Sequence, residues 1–213
     1  MSRIFITGSS AGLGLLAGRH LIGQGHEVVM HARTPEKARA LRTELPGAAE
    51  VLVADLESMA QTRALADSAN ALGRFDAVIH NAGVGDRGTD RLGPDGLPVV
   101  FAVNVLAPYL LTALMLRPAR LVYLGSSMHF GARPARPGSL WQDGRWRGRV
   151  DYSQTKFMDV ALALAVARLW PEVRSNAAAR CAMRWPSDTP PIQPMSKCAT
   201  SSAPRTNTSR YQG

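Results

Sequence analysis

The sequence predicts an α/β fold with a doubly wound parallel sheet and helices on both of its faces. Two kinds of sequence pattern alternate through residues 1–176. Short β-branched or apolar runs predict buried strands, and longer segments with apolar residues at helical spacing lie between them. This alternation of strand and helix is typical of a parallel sheet. The runs that predict strands are 4–6, 28–30, 51–53, 77–79 and 121–124.

Each predicted helix has an apolar face. Thr34-Pro35 is typical of an N-cap followed by proline at the first helical position. The last helix begins near Asp151 and ends by Trp170, because Pro171 follows, and its apolar composition predicts burial on most sides. In the four earlier helices, the residues that recur at helical spacing and are mostly apolar are Leu13, Leu16, Ala17, His20 and Leu21; Ala38, Leu41, Arg42 and Leu45; Leu56, Met59, Ala60, Arg63 and Ala64; and Ala102, Val105, Leu106 and Tyr109.

The C-terminal segment differs from the rest of the chain. Residues 177–213 contain five of the 14 prolines and show neither strand nor helix periodicity. We therefore expect a folded domain over residues 1–176 and an irregular or disordered tail over residues 177–213.

The composition indicates a globular protein and argues against a disulfide scaffold, a metal site and a membrane span. Hydrophobic residues make up 46% of the chain and charged residues 19%, so the chain can bury a full core. The two cysteines, Cys181 and Cys198, are too few for a disulfide scaffold, and no metal site is expected. Neither a signal peptide nor an apolar run of about 18 residues is present, which predicts a cytoplasmic protein without a membrane span.

The net charge of +9 comes from 25 basic and 16 acidic residues. Residues 1–176 contain no long run of Lys and Arg, and scattered basic residues are usually solvated. We therefore expect no specific nucleic-acid binding, although a pI near 10.5 leaves a polyanion-binding domain as an alternative.

A glycine-rich loop follows the first predicted strand and opens the first helix. It reads Thr7-Gly8-Ser9-Ser10-Ala11-Gly12-Leu13-Gly14. Glycine lets the backbone turn tightly and approach a pyrophosphate, whose charge a helix N-terminus stabilises. The position of the loop in a βαβ unit favours a dinucleotide site over an ordinary strand-to-helix turn.

The end of the second strand indicates which dinucleotide is preferred. In such sites an acid here binds the ribose 2′-hydroxyl, whereas an arginine accepts a 2′-phosphate. The sequence reads His31-Ala32-Arg33, and no acid follows Val28 before Glu36. Arg33 therefore predicts NADP(H) over NAD(H); the alternative is a surface arginine at the start of a helix.

Tyr152 and Lys156 are one helical turn apart, which places both side chains on one helix face. A tyrosine of pKa about 10 exchanges protons poorly at neutral pH unless a cation stabilises its phenolate, and a lysine ammonium does so. Ser127 follows the fifth predicted strand, at the edge where open parallel sheets bind ligands, and its hydroxyl can hold a substrate oxygen. The Tyr–Lys spacing taken alone also occurs by chance.

Together these motifs resemble those of the short-chain dehydrogenase/reductase family, and in the same order. The resemblance covers about residues 1–176 and implies a Rossmann-like fold that binds NAD(P). The matching segments are TGxxxGxG at 7–14, Asp55-Leu56, Asn81-Ala82-Gly83, Asn104, Ser126-Ser127, and Tyr152 with Lys156.

The resemblance implies which residues hold the cofactor. Arg33 would hold the 2′-phosphate, and Asp55 and Leu56 would border the adenine. The floor near the ribose would be Asn81, Ala82 and Gly83. The pyrophosphate and the nearby ribose would lie against Gly8, Ser10, Gly12, Leu13 and Gly14.

The resemblance also implies four catalytic residues. Tyr152 would be the general acid/base, and Lys156 would bind the nicotinamide ribose and lower the pKa of that tyrosine. Ser127 would orient the carbonyl or alcohol of a small-molecule substrate. Asn104 would support a water in a proton relay.

The interval between Ser127 and Tyr152 is longer than is common in the family. Long intervals resemble the retinol-dehydrogenase-like branch, which binds bulky apolar carbonyls or alcohols. Residues 128–150 would then form a substrate flap, the alternative being a solvated loop that packs Trp141 and Trp146. In the family the last helix contributes to a dimer interface, so the resemblance implies a homodimer.

The resemblance ends near Asn176. The family's Pro-Gly turn, the helix that covers the substrate and the seventh strand have no counterpart in residues 177–213. We hypothesise a truncated or frameshifted member whose sheet is incomplete at its C-terminal edge, with weak or absent turnover and poor solubility.

The leading functional hypothesis is an NADP(H)-dependent oxidoreductase that acts on a hydrophobic carbonyl or alcohol, with Tyr152 as general acid/base. The alternative is a catalytically impaired dinucleotide-binding protein, either a degraded enzyme or a redox sensor.

Overall fold

The computed structural model describes residues 1–85, 91–133, 138–143, 145–146 and 150–180. The predicted α/β architecture is confirmed, because six parallel strands form one sheet. These strands are β1 (Arg3–Ile6), β2 (Glu27–Ala32), β3 (Glu50–Val53), β4 (Ala77–His80), β5 (Arg120–Ser126) and β8 (Arg174–Arg180). A short antiparallel hairpin is formed by β6 (Trp141–Gln142) and β7 (Arg145–Trp146).

The helices connect successive strands. They are α1 (Gly12–Gly23), α2 (Pro35–Glu44), α3 (Met59–Ala71), α4 (Val99–Phe101), α5 (Ala107–Leu114) and α6 (Tyr152–Leu169). A π-helical turn (Ala102–Leu106) joins α4 to α5, and a 3₁₀ turn (Ser127–Gly131) follows β5. In α2, the predicted cap is confirmed: the Lys37 backbone N–H donates to Thr34 Oγ1.

The strand order is β3-β2-β1-β4-β5-β8. The chain first adds strands on one side of β1 and then returns to add β4 on the other side, where Phe5 pairs with Val78. Because the strands are parallel, their carboxyl ends meet at one edge of the sheet. The crevice beside β1 and β4 at this edge is the place where open sheets of this kind bind ligands.

Hydrophobic residues on both faces of the sheet form two clusters. Phe5 belongs to one cluster and its neighbours Ile4 and Ile6 to the other, since side chains alternate along a strand. The first cluster includes Val29, Phe75, Val78, Leu111 and Tyr123, and the second includes Val28, Met30, Ala38 and Leu41. The central strands are therefore buried on both sides, as their continuous apolar runs predict.

The predicted buried faces of α1 and α3 are wrong in part. In α1 the buried residues are Gly14 and Gly18, whereas Leu16 is 60% exposed. A Cβ at Gly18 would lie 2.6 Å from Met30 Sδ, so the helix backbone itself packs against the sheet. In α3 the buried residues are Thr62, Leu65, Ala66 and Ala69, in place of the predicted Ala60, Arg63 and Ala64.

The last helix is buried on one face rather than on most sides. Asp151 caps α6 by accepting from the Gln154 backbone N–H, and the helix ends before Trp170, as predicted. Its buried residues are Thr155, Lys156, Asp159, Ala163 and Val166. Its outward face nevertheless carries apolar side chains, among them Leu164, which is 66% exposed.

Strand β8 pairs with β5 along its whole length, from Arg174 opposite Arg120 to Arg180 opposite Ser126. The sheet thus continues four residues past Asn176, where the sequence places the boundary. Residues 181–213 lie outside the described residues, so the interpretation of the tail, including the frameshift hypothesis, stays a prediction.

Within the described residues, no helix is both long and apolar enough to cross a membrane. The same residues contain no group of three or more His, Cys, Asp or Glu side chains that could hold a metal ion.

Candidate active site

A cavity of about 530 Å³ opens at the carboxyl edge of the sheet. All of the predicted cofactor-binding residues except Gly14 line it: Gly8, Ser10, Gly12, Leu13, Arg33, Asp55, Leu56, Asn81, Ala82, Gly83, Tyr152 and Lys156. Residues that the sequence analysis did not assign to the site also line it, among them His31, Lys37, Val84, Val103 and Leu124. The fold thus collects residues from most of the chain into one crevice.

The glycines of the loop are required by close packing and by backbone conformation. Gly8 and Gly12 have φ values of +60° and +57°, which favour glycine. A Cβ at Gly8 would lie 2.6 Å from Ala82 Cα. Gly14 faces away from the cavity: a Cβ there would lie 2.5 Å from Asn81 Nδ2, so this glycine allows the helix to pack against the loop after β4.

The N-terminus of α1 is left open to the cavity. Helices α2, α3 and α6 are capped by the side chains of Thr34, Ser58 and Asp151. At α1 the N-cap is Ala11, which has no side chain that could accept, and the first turn contains no acid. Unpaired backbone N–H groups and the helix dipole therefore face a crevice shaped by glycines, an arrangement that binds phosphate anions.

His31 holds the glycine-rich loop in place. The Gly8 backbone N–H donates to His31 Nδ1 at 2.9 Å, and His31 Nε2 donates to the Ala54 carbonyl at 3.0 Å. The His31 backbone N–H in turn donates to Ser9 Oγ at 2.7 Å. Burial lowers the pKa of His31 to about 4, so the ring is neutral and fixed in one tautomer. The sequence analysis missed this role, although His31 stands at the end of a predicted strand.

Asn81 joins β4 to the same loop. Its Nδ2 donates to the Thr7 carbonyl at 3.0 Å and to the Gly8 carbonyl at 2.9 Å. Thr7 Oγ1 accepts from the backbone N–H groups of Asn81 and Ala82, each at 3.1 Å. The carboxyl ends of β1 and β4 are thereby connected below the cavity.

Arg33 lies within a network of charges at the end of β2. Its Nε donates to Asp55 Oδ2 at 3.1 Å, and its Nη1 lies 3.1 Å from Glu57 Oε1. Arg91 also binds Glu57 through both of its terminal nitrogens. A hydrogen bond from Arg91 and the charges of both arginines lower the pKa of Glu57. The sequence analysis missed Lys37, Glu57 and Arg91, because charged residues without regular spacing carry no motif.

Tyr152 and Lys156 both line the cavity from the first turns of α6. Lys156 Nζ lies 5.7 Å from the centroid of the Tyr152 ring. The ammonium is buried, and it donates to the Leu124 carbonyl and to Asp159 Oδ2, each at 2.8 Å. The i, i+4 spacing thus gives the predicted proximity, and Asp159 adds a negative charge that the spacing does not reveal.

Asn104 lies in the π-helical turn, with its side chain buried. Its Nδ2 donates to the Val84 carbonyl and to Thr155 Oγ1, each at 3.0 Å, and its Oδ1 accepts from the Val84 N–H at 2.8 Å. Asn104 therefore ties the loop after β4 to α6. A role in supporting a water stays a prediction.

A model of the family described as short chain dehydrogenase matches residues 2–125, more than half of the chain. The chain belongs to the short-chain dehydrogenase family. It is 47% identical over 173 residues to "Uncharacterized oxidoreductase AN7799" of Emericella nidulans, and 45% identical over 171 residues to "Short-chain dehydrogenase chyC" of Penicillium rubens. These alignments cover 80% and 79% of the chain, but only 65% and 66% of the relatives.

This short-chain dehydrogenase is also similar to solved structures of short-chain oxidoreductases. A metagenomic short-chain oxidoreductase in complex with NADP is 26% identical, with a TM-score of 0.64 over 86% of the chain and 82% of that structure. NAD(P) is the cofactor typical of the family. The comparisons do not support the finer prediction of a retinol-dehydrogenase-like branch.

The two serines at the carboxyl end of β5 occupy different positions in this family member. Ser126 is buried, and its Oγ accepts from the Met128 backbone N–H at 3.3 Å. Ser127 begins the 3₁₀ turn and is only partly buried. Neither serine is among the described residues that line the cavity, so the choice of Ser127 as catalytic stays a prediction.

The insert before α6 is described only in part. The Trp146 ring packs on Phe101 with 4.6 Å between the centroids, so the β6–β7 hairpin is in contact with α4. Residues 134–137, 144 and 147–149 lie outside the described residues. The substrate-flap prediction is therefore left open.

Proposed function

We propose that this short-chain dehydrogenase is an NADP(H)-dependent oxidoreductase that interconverts a carbonyl and an alcohol. The proposal depends above all on one observation: Tyr152 and Lys156 line the same cavity as the uncapped N-terminus of α1. A proton donor with a neighbouring cation and an anion-binding loop are the two parts that such a reaction requires.

The residues present fit a dinucleotide. Gly12 leaves room beside the backbone N–H groups of α1, since a Cβ there would meet nothing within 4 Å. The open helix N-terminus would bind the pyrophosphate, and the adenine would lie beside Asp55 and Leu56, which follow β3. When bound, the nicotinamide would supply or accept the hydride.

The preference for NADP(H) rests on positive charge at the adenosine end of the cavity. Arg33 and Lys37 both line this end. Arg33 pairs with Asp55, which also lines the cavity, and with Glu57, whose charge Arg91 shares. Arginine forms bidentate pairs with phosphate, so a 2′-phosphate would bind here more favourably than a hydroxyl. The similar metagenomic oxidoreductase binds NADP.

In the proposed reaction Tyr152 donates its phenolic proton to the developing alkoxide during reduction, and accepts a proton from the alcohol during oxidation. Lys156 stabilises the phenolate through its positive charge, 5.7 Å from the ring. Ser127 would hold the substrate oxygen. Val84, Val103 and Leu124 give the wall of the cavity near α6 an apolar character, which favours a hydrophobic substrate.

A homodimer is part of the proposal. Tyr109 on α5, and Phe157 and Leu164 on α6, are apolar side chains that are 52%, 36% and 66% exposed. Burial of such side chains in a helical interface is favourable by about 25 cal/mol per Å² of apolar surface.

The experiment that tests the proposed function is turnover of a panel of ketones and alcohols with NADP(H), compared between the chain and Tyr152→Phe. We expect weak activity on at least one hydrophobic carbonyl, a loss of more than about 100-fold in Tyr152→Phe, and NADPH affinity within about threefold of the unaltered chain. Binding of NADPH without turnover of any substrate would instead favour a dinucleotide-binding protein.

A further inference from the structure

Lys156 is held in a buried ion pair. Its Nζ lies 2.8 Å from Asp159 Oδ2, and the two side chains are 5% and 4% exposed. Asp159 Oδ1 is also buried and makes no hydrogen bond within the described part of the chain. A buried carboxylate with one unsatisfied oxygen stabilises a fold poorly, so folding alone does not explain the presence of an acid at this position.

The Lys156 ammonium contacts both the protein interior and the cavity. An ammonium has three N–H donors, and two of them are used by Leu124 and Asp159. One donor is left for the cavity, which Lys156 lines together with Tyr152. The negative charge of Asp159, 2.8 Å from Lys156 Nζ, therefore weakens the effect of that cation on a phenolate at Tyr152.

We propose that Asp159 is a positioning residue that fixes the Lys156 ammonium against β5 and, by its negative charge, raises the proton affinity of Tyr152. This inference deepens the proposed oxidoreductase function and rests on it. Asp159 contributes no group to the substrate; it sets the pH at which the tyrosine changes from proton donor to proton acceptor.

The other titratable groups around Asp159 do not change charge near neutral pH. Burial, with a smaller contribution from the charge of Asp159, raises the pKa of Tyr123 on β5 to about 12. His80 on β4 stacks on Tyr123, and burial lowers the pKa of His80 to about 3. Thr112 on α5 links these two rings through its hydroxyl.

Among the side chains that the structure describes, the charged groups on the remaining elements packed against α6 do not pair with Asp159. Arg120 and Arg174 are exposed at the amino ends of β5 and β8. His129 in the 3₁₀ turn is bound to the Ser126 carbonyl. Described residues of α4 and the π-helical turn include no titratable side chain. Lys156 is thus the partner on which the charge of Asp159 acts.

Burial raises the pKa of Asp159, whereas the Lys156 ammonium acts on it in the opposite direction. While Asp159 is ionised, it partly neutralises the cation 2.8 Å away. When Asp159 is protonated, the full charge of Lys156 acts on Tyr152.

The test is an ultraviolet titration of the Tyr152 phenolate in the full chain, obtained as the difference from Tyr152→Phe because the chain has four tyrosines. Asp159→Asn removes the charge and keeps the shape. We expect its Tyr152 midpoint to fall by about one pH unit, as removal of a nearby charge at an effective dielectric constant of about 20 implies. Glu172→Gln, which removes an exposed carboxylate after the same helix, is expected to leave the midpoint in place.

Two further variants keep the test decisive. Asp159→Glu retains the charge and should titrate close to the unaltered chain. Asp159→Ser removes the charge with a smaller side chain, and replaces Asp159→Asn if that variant does not fold. An unchanged Tyr152 midpoint in a folded, uncharged variant would overturn the proposal, as would equal shifts in Asp159→Asn and Asp159→Glu.

The same variants separate this inference from the proposed function. If the unaltered chain oxidises an alcohol with NADP⁺, the pH at half-maximal rate should also fall by about one unit in Asp159→Asn, with KM changed less than kcat. If it turns over no substrate, the proposed function fails, whereas the phenolate titration still decides the role of Asp159.

Discussion

Arg33 Nη1 lies 3.1 Å from Glu57 Oε1, and Arg91 binds both oxygens of the same carboxylate. Glu57 is buried, whereas both guanidinium groups are about half exposed. One carboxylate is thus shared by two cations at the end of the cavity where a 2′-phosphate is proposed to bind. The charge balance of this network, rather than Arg33 alone, is expected to decide the cofactor preference.

Arg33→Ala is expected to remove the preference for the phosphorylated cofactor. A charge-assisted hydrogen bond contributes about 1.5–3 kcal/mol, so NADPH affinity should fall by about 10- to 100-fold, with NADH affinity within about twofold. Isothermal titration calorimetry measures both. Arg39→Ala, an exposed arginine of α2 that pairs with Glu36, is the matched control and should change neither affinity. Equal losses for the two cofactors would contradict the assignment of Arg33.

Arg91→Ala tests the shared carboxylate. Without Arg91, the charge of Glu57 acts on Arg33 alone, and this weakens the attraction for a phosphate. We expect NADPH affinity to fall by about three- to tenfold at low salt, with a smaller loss at high salt because part of the effect is screened. Unchanged NADPH affinity at low salt would show that Arg91 only anchors its own loop.

The buried, neutral His31 is expected to make the fold sensitive to acid. Burial lowers the pKa of His31 from 6.5 to about 4, so between these values the unfolded chain binds a proton that the folded chain does not. The stability contribution is fully present above pH 6.5 and decreases as the pH falls, by roughly 3 kcal/mol at the lower limit. His80 acts in the same direction, whereas Asp159, with its raised pKa, acts in the opposite one.

Chemical denaturation of the chain and of His31→Asn at pH 7 and pH 5 measures this contribution. Asparagine keeps an acceptor near the Gly8 N–H but does not titrate. The variant should therefore lose less free energy of unfolding between pH 7 and pH 5 than the unaltered chain does. The same loss in both proteins would exclude His31 as the source of the acid sensitivity.

Leu164→Glu is expected to disrupt the proposed dimer. A charge at this exposed apolar position of α6 would be costly in an interface and harmless on a free surface. Sedimentation velocity should show a dimer for the unaltered chain and a monomer for the variant. Leu92→Glu, an exposed leucine outside α5 and α6, should remain dimeric. A monomeric unaltered chain would exclude the dimer.

The sequence predicts the elements better than it predicts which residues they bury. Continuous apolar runs identify the central strands, because a sheet covered on both faces leaves only apolar positions in them. The faces of α1 and α3 could not be predicted by counting large apolar residues. At Gly18 the absence of a side chain is what allows contact with Met30, and a hydrophobic pattern does not detect this.

The sequence likewise predicts some residues of the site and not others. Gly8, Tyr152 and Lys156 could be found because their chemistry requires fixed spacings within one segment. His31 and Glu57 could not, since each acts through residues that lie elsewhere along the chain. Asp159 lies three residues after Lys156 on the same helix, but the sequence does not show that this pair is buried. Tertiary structure creates these contacts and this burial.

The most direct measurement is a calorimetric titration of the chain with NADPH and, separately, with NADH. The open N-terminus of α1 with Arg33 and Lys37 beside it predicts one NADPH bound per chain, with an affinity at least about tenfold greater than that for NADH. Binding of neither cofactor, or equal affinity for both, would contradict the claim that this cavity is a site for NADP(H).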